Sequence, residues 1–381
     1  MTAGVKIFRS TDAGAAVLSG TAGALITLLD AVLVNGQNSK TVTITRSAST
    51  ATATATAHGF LAGQKIVVSG ANETEYNIEA YISNVAANTF DYTVSGTPAT
   101  PATGTITAKQ ASAGWAKEFS GTNLAAYRPP AGGNRLRLRI DDTGTTNGRG
   151  VGYETMSDVN TGTGDFPTAA QISGGLYWPK SNTADATARP WIIAATDRLI
   201  IMHVSSSSIA NATNASICVF GDIKSFKSGD AYSTIHIAGT ITTTTASNIL
   251  SLVSTSLGNT ASGHYISRSY TQLGTSLNVG KHIDSAKAMS TVSIGSVTST
   301  LVYPNGPDGG LYMSSIWIHE ISGPHVRGTI PGLWAPLHNK PLEHLDTVSG
   351  TGALAGKTFQ ALKMYNGSEC LLELSDTWDT V

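Results

Sequence analysis

Charged residues are scarce in this chain. Lysine and arginine number 24 and aspartate and glutamate 25 among 381 residues, so the charged share is 13%, about half of what globular proteins usually carry. The net charge of −1 provides no long-range field, which argues against a nucleic-acid-binding protein. Large soluble monomers usually keep many charges on their surface. The scarcity therefore favours a chain that other subunits cover over a monomer that simply has a low surface charge.

Cysteines and long apolar runs are also lacking. The two cysteines, Cys218 and Cys370, are too few for a disulfide framework or a zinc site, and their apolar neighbours predict buried free thiols. The most apolar windows, 24–34 and 199–204, are too short to span a bilayer, and the first residues lack a secretory signal. We expect folding in the cytoplasm, without membrane insertion.

Sequence motifs for common catalytic sites are missing. The chain has no phosphate-binding loop, His-Glu-x-x-His, Gly-x-Ser-x-Gly or Cys-x-x-Cys. One proline-rich connector concentrates metal-ligand types at no recognised spacing, which favours ordinary hydrogen-bonded side chains over a metal site. Its members are His319, Glu320, His325, His338, Glu343, His344 and Asp346. Another stretch could pair carboxylates for glycoside cleavage, but its Gly/Thr-rich strings are typical of turns. Its acids are Asp141, Asp142, Glu154, Asp158 and Asp165. We predict no enzyme, cofactor or metal.

A separate β module is predicted over 41–108. Residues 50–57 alternate strictly between Thr and Ala, which is the period of a strand with one buried face. Further strands are expected at 41–46, 65–69, 78–86, 89–95 and 103–108. Several short strands in about 70 residues indicate a small sandwich or barrel. The module would interrupt a main domain made of 1–40 and 109–381, with a further division near 230–260 left open.

The main domain reads as mainly β, a β-sandwich or jelly-roll-like fold with one N-terminal helix. The helix is predicted over 21–36, with Thr21 as its N-cap and Asn35-Gly36 as its end. Strands are predicted from their β-branched and alternating patterns. They lie at 5–8, 135–140, 217–226, 233–238, 240–245, 291–300 and 312–319, with hairpins at 191–204 and at 357–374, the latter turning at Asn366-Gly367.

Two sets of residues are candidate subunit contacts. Arg135, Arg137 and Arg139 alternate with apolar residues, so a strand would place all three arginines on one face. That face could be salt-bridged within the chain or could bind the carboxylates of another subunit. The aromatics Tyr177, Trp178 and Trp191 are predicted to be exposed beside prolines, where they could anchor subunits or stack on a sugar.

Several strings resemble a group of virion structural proteins from tailed bacteriophages of Gram-negative hosts. They include LSGTAGALI at 18–26, FSGTNLAAYR at 119–128, YETMSDVNTGTG at 153–164 and FGDIKSFKSGD at 220–230. The segment 41–108 is similar to a module common in phage tail and head-exterior proteins. The resemblance carries no catalytic residues.

The resemblance implies a non-enzymatic virion component, made in the host cytoplasm and present in multiple symmetric copies. Its partners would be other copies of itself and other virion proteins, with a host-surface glycan as a further candidate. It would lie in the tail, baseplate or neck. A capsid decoration protein and a receptor- or carbohydrate-binding tail-tip protein remain alternatives.

Overall fold

The computed structural model describes residues 2–209, 215–239, 263–283, 303–323, 325–338, 342–364 and 369–379. These residues form antiparallel sheets with one short helical segment near the N terminus, which confirms the predicted fold class. The strands predicted at 240–245 and 291–300 and the turn Asn366-Gly367 lie outside the described residues. Within the described part, no helix is long and apolar enough to cross a membrane.

The N-terminal segment contains strands β1 (Thr2–Gly4) and β2 (Lys6–Arg9) and helix α1 (Ala24–Leu29), which continues as a π-helical segment over Asp30–Asn35. The helix therefore lies where it was predicted. Gly36, at φ 73°, follows its last residue and confirms the predicted end. A left-handed conformation at this position favours glycine because it has no side chain to clash.

The prediction of Thr21 as N-cap is wrong. The N-cap residue is Gly23, which has no side chain that could bond to the N–H groups of the first turn. The carboxylate of Asp142 caps the helix instead, because its Oδ2 accepts the backbone N–H groups of Leu25 at 2.7 Å and Ile26 at 3.1 Å. A residue 117 positions away thus does what a local Ser or Thr usually does.

Residues 37–110 form two sheets around a hydrophobic cluster of their own. The strands are β3 (Gln37–Thr41), β4 (Thr43–Ser47), β5 (Thr50–Thr54), β6 (Lys65–Ala71), β7 (Glu79–Tyr81), β8 (Thr89–Thr93) and β9 (Gly104–Gln110). One sheet has the order β3-β9-β6-β7 and the other β4-β5-β8. In β5, Ala51 and Ala53 are buried while Thr50 and Thr54 are exposed, as the alternation predicted. The strand predicted over 78–86 is shorter than expected.

A five-stranded sheet follows the module. Its region contains β10 (Ala116–Gly121), β11 (Leu124–Arg128), β12 (Arg137–Asp141), β13 (Asn147–Tyr153), β14 (Thr155–Met156), β15 (Gly162–Thr163) and β16 (Leu176–Pro179). The sheet has the order β10-β11-β12-β13-β16, while β14 and β15 pair separately. Helix α1 packs on the buried face of this sheet, since Leu25, Leu138 and Trp178 belong to the same hydrophobic cluster.

The remaining strands, except the last one, belong to one large sheet. They are β17 (Trp191–Ala195), β18 (Leu199–Ser205), β19 (Ala215–Asp222), β20 (Lys224–Ser225), β21 (Thr234–Ile237), β22 (His264–Ile266), β23 (Leu277–Ile283), β24 (Met313–Glu320), β25 (Val326–Pro336), β26 (Thr347–Ser349), β27 (Thr358–Lys363), β28 (Glu369–Glu373) and β29 (Thr377–Asp379). The sheet runs β2-β17-β18-β19-β21-β22-β23-β24-β25-β28-β27-β26, with β20 on β25, and β29 pairs with β1. Both predicted hairpins are confirmed. The strand predicted over 217–226 is divided between β19 and β20.

Both faces of this sheet are buried where β17 and β18 lie. Ile193 and Met202 pack towards α1 and the five-stranded sheet, whereas Ile192 and Ile201 pack into a second cluster with strands from the C-terminal half. Burial on both faces explains why these strands read as continuous apolar runs rather than as alternating ones. Cys218 and Cys370 are buried free thiols, as predicted, and burial raises the pKa of each.

Candidate interaction surface

The arginine strand is bonded within the chain. Arg137 Nε lies 2.8 Å from Glu118 Oε2 and its Nη1 donates to the carbonyl of Glu154 at 2.8 Å. Arg139 Nε donates to the carbonyl of Val159 at 2.7 Å. Leu138 and Ile140 point to the opposite side and are fully buried. Of the two interpretations of this strand, the geometry matches the salt-bridged face.

Arg135 does not share that face. It precedes β12 and has a φ of 60°. Its backbone is therefore not extended, and the alternation of side chains that places Arg137 and Arg139 on one face does not include it. Its Nε donates weakly to the carbonyl of Pro129 at 3.4 Å. The prediction of three arginines on one face is therefore wrong, because the strand begins two residues later than the pattern indicated.

The predicted exposure of the two tryptophans is also wrong. Trp178 is 0% exposed and Trp191 2%. Trp178 Nε1 donates to His236 Nε2 at 2.9 Å, and Trp191 Nε1 donates to the carbonyl of Ala16 at 3.2 Å. Both belong to the core between the sheets, where a tryptophan N–H needs a partner. Of the three aromatics, only Tyr177 is half-buried.

Tyr177 stacks on a cation of its own sheet. The guanidinium carbon of Arg149 lies 3.6 Å from the centre of the Tyr177 ring, a distance at which cation–π attraction operates. Arg149 Nη2 also donates to the carbonyl of Gly175 at 2.7 Å. Burial lowers the pKa of Arg149. The Tyr177 ring is thus held in place by Arg149.

The imidazoles and carboxylates of the proline-rich connector have separate partners. His325 packs on Tyr270, with ring centres 4.6 Å apart, and His338 Nε2 accepts the backbone N–H of Tyr312. Glu343 pairs with Lys363. In the described part of the chain, no three potential metal ligands converge.

Four of the five acids of the Gly/Thr-rich stretch divide into two groups. Asp141 and Asp158 accept backbone N–H groups two residues ahead, which is the Asx turn that their context predicted. Asp142 and Glu154 are exceptions. Asp142 caps α1, and Glu154 forms a two-pronged ion pair with Arg268, in which both contacts measure 2.6 Å.

A set of exposed apolar side chains lies on β25 and on the loops that follow β20 and β22. Its four members are Phe226, Tyr270, Leu273 and Val326, which are 56%, 41%, 72% and 44% exposed; we call them the Phe226 patch. The Phe226 ring packs edge-on against Trp317, with centres 6.1 Å apart. Contiguous apolar surface rimmed by polar residues marks interaction sites on soluble proteins.

Hydrogen bonds join the loops that carry the patch. The backbone N–H of Phe226 donates to the carbonyl of Arg327 at 2.8 Å, which fixes Phe226 beside Val326. Gln272 Nε2 donates to the carbonyl of Gly229 at 3.0 Å. The loop after β22 and the loop after β20 are therefore tied to each other and to β25.

A buried ionic network lies beneath the patch. Arg327 is 1% exposed, and it contacts Asp230 through Nη2 and Glu320 through Nη1, each at 2.6 Å. Its Nη1 also donates to the carbonyl of Arg268 at 2.8 Å, and Glu320 accepts the backbone N–H of Tyr270 at 2.6 Å. Bonds between opposite charges in a dry site are short and strong. One guanidinium thus positions both loops.

The second arginine of the region is nearer to solvent. The guanidinium of Arg268 lies over the ring of Tyr232 at 4.4 Å. Hydrogen bonding to Glu154 raises the pKa of Arg268, so its charge is retained at any physiological pH. Glu154 follows β13, and the pair therefore connects the five-stranded sheet to the loop under the patch.

A polar groove of about 590 Å³ adjoins the patch. Gly132, Gly133 and Asn134 form one wall and residues 222–233 the other, with Phe226 in the lining. Asp222 is a half-buried residue of the lining, and its Oδ2 accepts the backbone N–H of Asn134 at 2.8 Å. Burial raises the pKa of Asp222. An aromatic ring beside backbone and amide groups is a lining suited to a sugar.

The residues of this surface were not among the predicted contacts. The sequence pattern places Phe226 at the end of the strand predicted over 217–226, and it groups Glu320 and His325 with residues of metal-ligand type. No protein-family model matches this chain, and a comparison with curated proteins found no match.

Proposed function

We propose that this protein is a non-enzymatic structural component of a tailed-bacteriophage particle, which assembles as multiple symmetric copies in the tail, baseplate or neck. The observation that carries the proposal is the Phe226 patch. Its four large apolar side chains would be covered by another subunit or by a neighbouring virion protein.

Two further properties suit repeated assembly. The loops of the patch are fixed by the Arg327 network, so little conformational entropy is lost when a partner covers them. The charge density of the chain is low, which weakens electrostatic repulsion between identical copies.

Association should depend on the patch. The double variant Phe226→Ser and Leu273→Ser removes about 3 kcal/mol of apolar contact if a partner buries both side chains, which corresponds to about 100-fold weaker association. Analytical ultracentrifugation measures the association constants of the wild type and the variant. The control is Val17→Ser with Leu61→Ser, two exposed residues outside the patch. If the wild type is monomeric and is absent from mass spectra of intact particles, the proposal fails.

The polar groove favours a second candidate, a receptor- or carbohydrate-binding tail-tip protein. In that case soluble protein adsorbs to host cells and blocks infection, and Asn134→Ala weakens adsorption because it removes an amide from the groove wall. A component that only joins virion proteins does neither. An electron-microscopy map of the particle would show where the protein lies. A position in the tail, baseplate or neck fits the first two candidates, whereas a position on the capsid surface identifies a capsid decoration protein.

A further inference from the structure

Lys180 and Asp142 form an ion pair from which solvent is excluded. Both side chains are 0% exposed, and Lys180 Nζ contacts Asp142 Oδ1 directly. Lys180 follows β16 and Asp142 follows β12, with β13 between them in the sheet. Nζ also donates to the carbonyl of Thr21 at 2.6 Å. The amine is therefore held against the carboxyl group from a fixed direction.

The other carboxyl oxygen lies in a ready-made anion site. Asp142 Oδ2 accepts the backbone N–H groups of Leu25 and Ile26, at 2.7 and 3.1 Å. Two N–H donors aimed at one oxygen stabilise the negative charge that develops on it when a nucleophile attacks the adjoining carbon. In acyl-transfer enzymes, the same arrangement of two N–H donors is called an oxyanion hole.

Burial also affects the protonation of the pair. It raises the pKa of Asp142 and lowers that of Lys180. Both changes favour a neutral carboxylic acid facing a free amine, which are the forms that condense. In water the same two groups stay charged and unreactive.

We propose that Lys180 and Asp142 join in an intramolecular isopeptide bond. Nζ attacks Cγ of the protonated carboxyl group, and the resulting oxyanion on Oδ2 is held by the N–H groups of Leu25 and Ile26. The amine then gives up one proton, Oδ1 leaves with it as water, and a secondary amide remains. Nothing is oxidised or reduced, so no co-reactant is required.

The bond would fasten three elements together. It covalently connects the ends of β12 and β16, and its carbonyl oxygen remains the cap of α1. A more accessible pair in the same region serves as comparison: Lys117 and Asp30 are 27% and 23% exposed. Water reaches those groups, so their ionised forms persist and no amide is expected there.

The test is the intact mass of the full chain, purified folded and then denatured. The bond makes the protein one water lighter than its sequence, about 18 Da. Trypsin should then yield the peptide of residues 140–149 linked to the peptide that contains an uncleaved Lys180. Lys180→Arg should restore the full sequence mass, whereas Lys117→Arg should keep the deficit.

Asp142→Asn adds an independent check, since attack on its amide releases ammonia, about 17 Da. A wild-type chain at its full sequence mass, with residues 140–149 recovered as an unlinked peptide, overturns the proposal. The linked peptide from the wild type decides the question even if Lys180→Arg fails to fold.

Discussion

Arg327→Met removes the one guanidinium that pairs with both Asp230 and Glu320. The three side chains are almost completely buried, with 1%, 1% and 5% of their surface exposed. Methionine fills part of the space but leaves two carboxylates without a counter-charge. Loss of one member of a buried ion pair lowers the free energy of unfolding by about 3–5 kcal/mol. Since a domain is stable by about 5–15 kcal/mol in total, the variant should be marginal.

Urea unfolding followed by tryptophan fluorescence measures the loss. Lys363→Met is the matched control. The Lys363 side chain is 13% exposed, but its partner Glu343 is 86% exposed, so solvent screens the pair and its contribution should be about 0–1 kcal/mol. Limited proteolysis gives a local readout: the loops at 224–232 and 268–273 lose their anchor and should be cut first.

A triple variant tests the cause. Arg327→Met combined with Asp230→Asn and Glu320→Gln removes all three charges, so it should recover part of the stability that Arg327→Met alone loses. If Arg327→Met lowers the stability by less than about 1 kcal/mol, or if the triple variant is the least stable of the set, the reasoning about this network is refuted.

Two further predictions concern the core. Burial lowers the pKa of His203 to about 4 and that of His236 to about 3, below an unfolded value of about 6.5. The stability that depends on their neutral forms is complete above pH 6.5 and should fall by about 1.4 kcal/mol per pH unit for each histidine as the pH drops towards 4; thermal unfolding with the same midpoint at pH 7 and 5 would contradict this. Gly152→Ala places a Cβ 2.2 Å from the Phe166 ring and should destabilise by about 1–3 kcal/mol. Gly306→Ala meets nothing within 4 Å, and an equal loss of Tm in both variants would refute the steric argument.

Local patterns predicted the elements whose cause is local. The Thr/Ala alternation of β5 and the apolar runs of β17 and β18 are properties of a few consecutive residues, and all three strands are present. The N-cap of α1 could not be found in this way. Thr21 has the right chemistry, but Asp142 satisfies the helix N–H groups from a strand that is distant in sequence.

Burial of the tryptophans depends on long-range pairing. Pro179 and Pro190 suggest loops, yet β17 pairs with β2, so that Ile193 lies opposite Phe8 and Trp191 is enclosed by residues near the N terminus. The Phe226 patch was missed for a similar reason. Phe226 and Leu273 are far apart in sequence, and their loops come together through the Gln272–Gly229 hydrogen bond and the Arg327 network. No periodic pattern in the sequence predicts such bonds.

The pairing of β1 with β29 affects the order in which the fold can be completed. Thr2 lies opposite Asp379 in that pairing, and β2 joins the large sheet only through β17. On the ribosome, both N-terminal strands would therefore wait with unpaired backbone while their partners are still being synthesised. An open strand edge recruits other strands, so newly made chains would be vulnerable to aggregation until β17 and β29 have been synthesised. Chaperone binding at residues 2–9 should therefore favour the yield of folded protein.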